Sequence, residues 1–307
     1  MNGNVSVIIP CYNAASMVGR AIESVLRQTR PADEILVVDD GSSDGSQDIV
    51  RTYEPRVRLI QAAHGGAGAA RNRGLAEATG DWVKFLDNDD ELEPSVLERQ
   101  LRAAGEESGS KTIVFGDYVK FYADGRPEVA VSLGEFTQME QVEFLVCSNI
   151  QTSLSLYPRE ALTTVGGFPT ELERFDETLM NLRLCLAGWS FAYRPGCASR
   201  IFIHSSPHRI NVKFSSRRVA DGELRFVTLA HEALSRSSLP AALCLRAKER
   251  LQRYLVAAAA EQFWRGRIPT CWSLLQEAGA VAPVCSRRAF EWPRILLTRG
   301  YAVLREA

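Results

Sequence analysis

The sequence predicts an α/β fold: a Rossmann-like, mostly parallel sheet flanked by helices, with an all-helical C-terminal extension. Three observations carry this. Short β-branched runs alternate with helical patterns from Val5 to Tyr122, polar clusters directly follow three of those runs, and beyond about Phe214 the strand signals give way to Ala, Leu and Arg at helical spacing.

The first run, Val5 to Pro10 (VSVIIP), is mostly β-branched, as expected of a strand buried on both faces of a parallel sheet. Met17, Val18, Ala21, Ile22, Val25 and Leu26 then recur every three or four residues, which makes a helix that Pro31 closes. A strand at Ile35 to Val38 leads into the turn DDGSSDGS, a short helix with Ile49, Val50 and Tyr53 inward, and a strand at Val57 to Gln61. A glycine-rich loop (HGGAGAARNRG), a helix around Ala69 to Ala78 and the strand Trp82 to Leu86 follow, the last running into DNDD. A helix from about Pro94 and a strand at Thr112 to Tyr122 continue the sheet. Past Tyr122 the expectations are a strand at Leu154 to Leu156, a short helix at Pro158 to Thr164, and a longer one at Phe175 to Leu186 that Gly188 ends. There is no internal repeat.

With 36 Lys plus Arg against 37 Asp plus Glu, no global field recruits nucleic acid, and none is expected as a partner. Seven widely spaced cysteines without a C-x-x-C pair read as reduced thiols. The start lacks the basic and apolar regions of a signal peptide, and no apolar run is long enough to span a bilayer, so the expected location is cytoplasmic.

Ligands of doubly wound sheets bind at the carboxyl ends of the strands, so the three polar clusters there are the candidate site. They are Cys11-Tyr12-Asn13, Asp39-Asp40-Gly41-Ser42 and Asp87-Asn88-Asp89-Asp90. Taken alone, DDGSSDGS is equally a turn with an N-cap at Ser46; it lacks the acid spacing of a calcium loop. The glycine loop is not a dinucleotide fingerprint, because Arg71 stands where the third glycine belongs, and no P-loop is present. It offers either an ordinary turn or flexible backbone with Arg71 and Arg73 to meet a diphosphate. Three carboxylates within DNDD repel one another, which a divalent cation would relieve, and Mn²⁺ or Mg²⁺ on one or two carboxylates suits a nucleotide diphosphate; the alternative is a solvated acidic turn before the helix at Pro94.

Together, in this order and spacing, the segments VSVIIPCYNA, VDDGSSDGS, GGAGAARNRGLAEATGDWVKFLDNDD and VGGF...FDETLMNLRLCLAG resemble the family-2 glycosyltransferases with the GT-A fold. The resemblance implies an inverting transferase that moves a sugar from a nucleotide diphosphate, a UDP-sugar foremost, to an acceptor hydroxyl in polysaccharide or glycoconjugate synthesis. It implies a catalytic domain over residues 1–213, with a nucleotide-sugar half at 1–122 and an acceptor half at 123–213, before a helical region at 214–307. Tyr12 and Asp40 are similar to the family's base contacts, with Pro10 and Asp39 beside them. Asp87 and Asp89 match its D-x-D, Asp87 toward ribose or metal and Asp89 on the metal; Arg71 and Asn72 match the A-R-N segment lining the donor site.

His64 stands where an Asn is common, and the family's Glu-Asp reads Asp176-Glu177 here. Counting back from Arg183 places the base on Glu177, with Asp176 beside it; simple helix capping by both acids is the alternative. His204 matches a loop histidine that closes over the donor, or is a surface residue. The acceptor implied is a saccharide or a lipid-linked one. The latter would bring the chain to the inner membrane face, and Leu243 to Ala258 and Arg294 to Arg305 suit either packing on the catalytic domain or membrane contact. Two other functions compete. A nucleotidyltransferase would carry a glycine-rich basic loop after the first strand, where CYNAAS stands, and a non-catalytic nucleotide-sugar binder would need neither Asp89 nor Glu177.

Overall fold

The computed structural model describes residues 3–107, 111–146, 148–203, 217–264 and 268–281. Strands β1 (Val5–Cys11), β2 (Glu34–Asp39), β3 (Arg58–Gln61) and β4 (Trp82–Phe85) form a parallel sheet in the order β3-β2-β1-β4. Helices α1 (Val18–Leu26), α2 (Ser46–Arg51) and α3 (Ala67–Glu77) make the crossovers. Every residue of β1 is buried, including Ser6, whose hydroxyl donates to Glu34 Oε2 at 2.6 Å.

Beyond β4 the sheet becomes mixed. After β5 (Glu91–Leu92) and α4 (Val96–Glu106) come β6 (Thr112–Tyr122), β7 (Val129–Val131), α5 (Gln138–Leu145), β8 (Ser155–Pro158) and α6 (Arg159–Thr164). Then α7 (Asp176–Leu186) leads to β9 (Ser190–Ile203). Strand β8 inserts antiparallel between β4 and β6, β6 runs parallel to β9, and β5 and β7 pair antiparallel at the margins. Gly188 ends α7 as expected: its N–H donates to Cys185 O and that of Trp189 to Leu184 O, with φ of 88° at the glycine.

Two local expectations are corrected. The N-cap of α2 is Gly45, while the Ser46 hydroxyl accepts from Ala14 N–H at 2.8 Å and so ties the turn after β2 to the turn after β1. Ile49 is 37% exposed, because on this six-residue helix the buried side is made by Ser46 and Val50, one turn apart.

Helix α3 lies unusually close to the sheet. A Cβ at Gly74 would stand 2.4 Å from Ile8 Cγ2, so alanine there would overpack the core at about 1–3 kcal/mol. That close approach carries Arg71, one turn earlier, to the carboxyl edge.

The C-terminal helices α8 (Arg217–Arg236), α9 (Ala241–Trp264) and α10 (Ile268–Val281) bury Phe226, Val227, Ala230, Leu251 and Leu255 in the common core. Helix α8 packs on α7 and α9 on α5, where Glu143 pairs with Arg246 and, at 3.7 Å, with Arg250. For Leu243 to Ala258 packing is therefore what is observed; Arg294 to Arg305 lies outside the described residues. Among the described residues no helix is long and apolar enough to cross a membrane. Cys11, Cys185, Cys244 and Cys271 are free thiols.

Candidate active site

The parallel register brings the ends of β1, β2 and β4 together: Cys11 lies beside Asp39, and Ile8 beside Phe85. Hydrogen bonds between the loops fix the edge. Asn88 Nδ2 donates to Pro10 O at 2.9 Å, and Ser43 N–H donates to Asn13 Oδ1 at 2.9 Å. Tyr12, 36% exposed, stacks on His64 with ring centroids 4.3 Å apart.

The two aspartates after β2 do different things. Asp40 accepts from Gly65 N–H and Gly66 N–H, both at 2.8 Å, and its Oδ2 is 2.9 Å from His64 Nδ1, so its carboxylate shapes the glycine loop. Asp39 Oδ2 accepts from Gln47 Nε2 at 2.7 Å and Ser42 N–H at 3.1 Å, whereas its buried Oδ1 has no hydrogen-bond partner. A buried acceptor left unpaired costs about 1–3 kcal/mol, which a bound N–H or O–H would recover.

Around Arg71 three acidic residues converge, Asp87 from the loop after β4 and Asp176 and Glu177 from the start of α7. Arg71 Nη2 donates to Asp87 Oδ1 at 2.6 Å and Nη1 to Asp176 Oδ2 at 3.1 Å, with the Phe168 ring 5.2 Å from the guanidinium. Burial opposes the charge of Arg71, yet Asp87, Asp176 and Glu177 hold its pKa above the usual arginine range. Burial in turn raises the Asp176 carboxyl, and it lifts Glu177 to about 7 despite the attraction of Arg71. Glu177 accepts from Asn149 Nδ2 and, at 3.1 Å, from Thr152 N–H. Asn181, one turn along α7, donates to Ile150 O at 2.8 Å and accepts from Tyr157 OH at 3.1 Å, which secures the segment that carries Asn149.

Carboxylate oxygens of Asp87, Asp89 and Asp90 all lie within 4.8 Å of one another. An all-oxygen set of this kind suits Mg²⁺ or Mn²⁺. Asp90 is buried and also accepts from Phe202 N–H at 2.9 Å, which ties the cluster to β9. Asn72 does not turn toward this cluster: its amide donates to Phe168 O and accepts from Phe168 N–H, each at 2.8 Å, holding the segment behind Arg71. His204 lies outside the described residues.

A model described as glycosyl transferase family 2 matches residues 6–166, just over half of the chain. The chain belongs to glycosyl transferase family 2. This member is 32% identical over 196 residues to the glycosyltransferase AglE of Haloferax volcanii, covering 62% of the chain and 64% of that protein. It is 39% identical over 127 residues to the putative teichuronic acid biosynthesis glycosyltransferase TuaG of Bacillus subtilis, covering 40% and 50%. The chain thus spans at most about two thirds of these relatives. Among solved structures, S. aureus TarS 1-349 in complex with UDP-GlcNAc superposes with a TM-score of 0.67 at 18% identity, over 99% of this chain and 90% of that one, which fixes the fold as GT-A.

Sequence reasoning missed Asn149, Thr152, Asn181 and Phe175. Asn181 is four residues beyond Glu177 and so on its side of the helix, a spacing that could have flagged it. The backbone of Phe175 gave no signal. It adopts φ 64°, a left-handed conformation that costs an ordinary L-residue about 1–2 kcal/mol.

Proposed function

We propose that this family-2 protein transfers a sugar from a UDP-sugar to an acceptor hydroxyl with inversion, using a divalent cation at Asp87 and Asp89 and Glu177 as base. One observation carries the reading: buried Arg71 joins Asp87, from the strand-end acidic cluster, to Asp176 at the start of α7, so donor-side and acceptor-side acids share one site. The relative found with UDP-GlcNAc bound supports the choice of donor, and the teichuronic acid relative supports a polysaccharide setting. The acceptor is a saccharide or a lipid-linked one, and the place of action is the cytoplasm or the inner membrane face.

In this reading the Tyr12 ring, Pro10, Asp39 and Asp40 border the base, and the open Asp39 Oδ1 accepts from it. Mn²⁺ or Mg²⁺ supplies neutralising charge for the leaving diphosphate. Glu177 takes the proton of the acceptor hydroxyl as the new C–O bond forms opposite the leaving group, and its raised pKa keeps it a competent base near neutral pH. Arg71 holds the donor side, Asn72 supports it by fixing the Phe168 backbone behind it, and His204 is assigned to the donor as the family resemblance implies.

The test is a panel of UDP-, GDP- and dTDP-sugars screened by thermal shift with Mn²⁺, since a ligand specific for the folded state raises its stability by about 2.7 kcal/mol at 100 times its Kd. UDP-sugars are expected to give the largest rise, and equal response to all three would remove the donor assignment. Transfer is expected to vanish in EDTA and return with Mn²⁺ or Mg²⁺. Asp89→Ala is expected to be inactive, with its fold checked by circular dichroism; the bond that Arg20 makes to residue 89 uses the backbone carbonyl and survives the change. Full turnover in EDTA would refute the metal role.

A further inference from the structure

We infer that helices α8 and α9 are part of the catalytic apparatus: through Phe226 and Tyr254 they clamp Phe175 in its left-handed backbone, which makes Phe175 and Phe226 positioning residues for Asp176 and Glu177. The inference rests on the proposed role of that acidic pair. Phe175 is the N-cap of α7, and its side chain makes no capping hydrogen bond. With φ 64° and ψ 10° it occupies a region that bulky side chains rarely adopt, so the surroundings must hold it there. Beside the guanidinium of the adjacent Arg174, 5.1 Å from the ring centroid, the holding contacts come from the C-terminal helices. Phe226 of α8, 1% exposed, stacks on Phe175 at 5.0 Å with 28° between planes, and Tyr254 of α9 meets it edge-on at 6.4 Å.

What the clamp secures is local. The first hydrogen bond of α7 runs from Leu179 N–H to Phe175 O at 2.8 Å, and the turn it closes holds Asp176 and Glu177. Farther along, α7 is held by its own buried Leu179, Met180, Leu182 and Leu184. Loosening Phe175 therefore frays the acidic turn and leaves the rest of the helix in place. The clamp is itself anchored, because Arg246 and Arg250 of α9 pair with Glu143 on α5, and Gln141 of α5 is bonded to the backbone of Phe191 in β9.

The experiment measures transfer by the full chain as a function of pH. Phe226→Ala is expected to lower kcat at least tenfold with donor KM within about twofold, since the nucleotide edge at β1 and β2 does not touch Phe226. The charged groups acting on Glu177 are Arg71 of α3, Asp87 after β4 and Asp176 of α7. Fraying lets water reach Glu177, so the acid limb of the profile should move down from about pH 7 by a unit or more. Phe226→Leu, which keeps apolar bulk, should restore most of kcat.

Adding Phe175→Gly to Phe226→Ala should cost less than the sum of the two single changes, because both release the Phe175–Phe226 contact. Should Phe226→Ala not fold, single changes at position 175 decide: glycine accepts positive φ and alanine does not, so Phe175→Gly should be the more active. An unchanged pH profile in folded Phe226→Ala, or equal activity of the two position-175 variants, overturns the clamp. The two readings fail separately. Activity in both Glu177→Gln and Asp176→Asn defeats the base assignment, whereas an inactive acid variant beside an unaffected Phe226→Ala defeats only the clamp.

Discussion

Glu177→Gln is expected to lower kcat by about 10² to 10⁴ while leaving UDP-sugar binding largely intact, the signature of a lost general base. The amide keeps the shape of the side chain but cannot take the acceptor's proton. A second readout follows from linkage. Burial raises the Glu177 carboxyl from 4.5 to about 7, so the folded chain binds this proton more tightly than the unfolded one. The associated stability is fully present below about pH 4.5 and is lost as pH rises through about 7, where the site must hold a buried carboxylate. Glutamine carries no such charge. Because its Nε2 must also find an acceptor, by rotation of the Asn149 amide, the expected net gain at pH 8 is on the order of 1–2 kcal/mol. The variant should therefore be nearly dead yet melt higher than the parent at pH 8, with the difference fading below pH 5. If Glu177→Gln stays active and Asp176→Asn does not, the base is Asp176.

The same acidic pair shows where sequence reading succeeds and where it stops. Short, mostly apolar runs revealed β1, β2 and β4 because a doubly covered parallel strand has little place for polar side chains beyond partnered ones such as Ser6 and Lys84, and the polar clusters behind them marked the carboxyl edge. The helix of Asp176 and Glu177 was legible from its periodicity and from Gly188. Its surroundings were not. Asn149 and Thr152 approach Glu177 from 28 and 25 residues upstream, and Asn72 meets Phe168 across 96 residues. Such pairs follow from strand order, and local periodicity does not encode that β8 enters antiparallel between β4 and β6. The left-handed Phe175 was invisible for a related reason: local propensity argues against it, and the helices that hold it come some fifty and eighty residues later. Asn72 illustrates the limit of motif transfer, since the A-R-N segment is present while the asparagine amide is spent on the Phe168 backbone.

Arg71→Met is expected to cost about 3–5 kcal/mol of stability at pH 8, the usual result of removing one member of a buried ionic cluster. Its guanidinium, with a side chain 7% exposed, is bonded to Asp87 and Asp176 and also attracts Glu177. Without it these carboxylates face one another across a desolvated site. Methionine retains most of the stem and its packing against Phe168, so the loss reports charge more than volume. Protonation relieves the repulsion, and burial already raises both Asp176 and Glu177, so the deficit in Tm should be largest at pH 8 and shrink toward pH 5. A cation held by Asp87 and Asp89, as proposed, would supply part of the missing charge, so Mn²⁺ should raise the Tm of Arg71→Met by more than that of the parent. Arg71→Lys should fall between, because one ammonium cannot reproduce two hydrogen bonds aimed at separate carboxylates. A deficit that is the same at pH 5 and pH 8 would instead make Arg71 a packing residue over Phe168, with the acids paired independently of it.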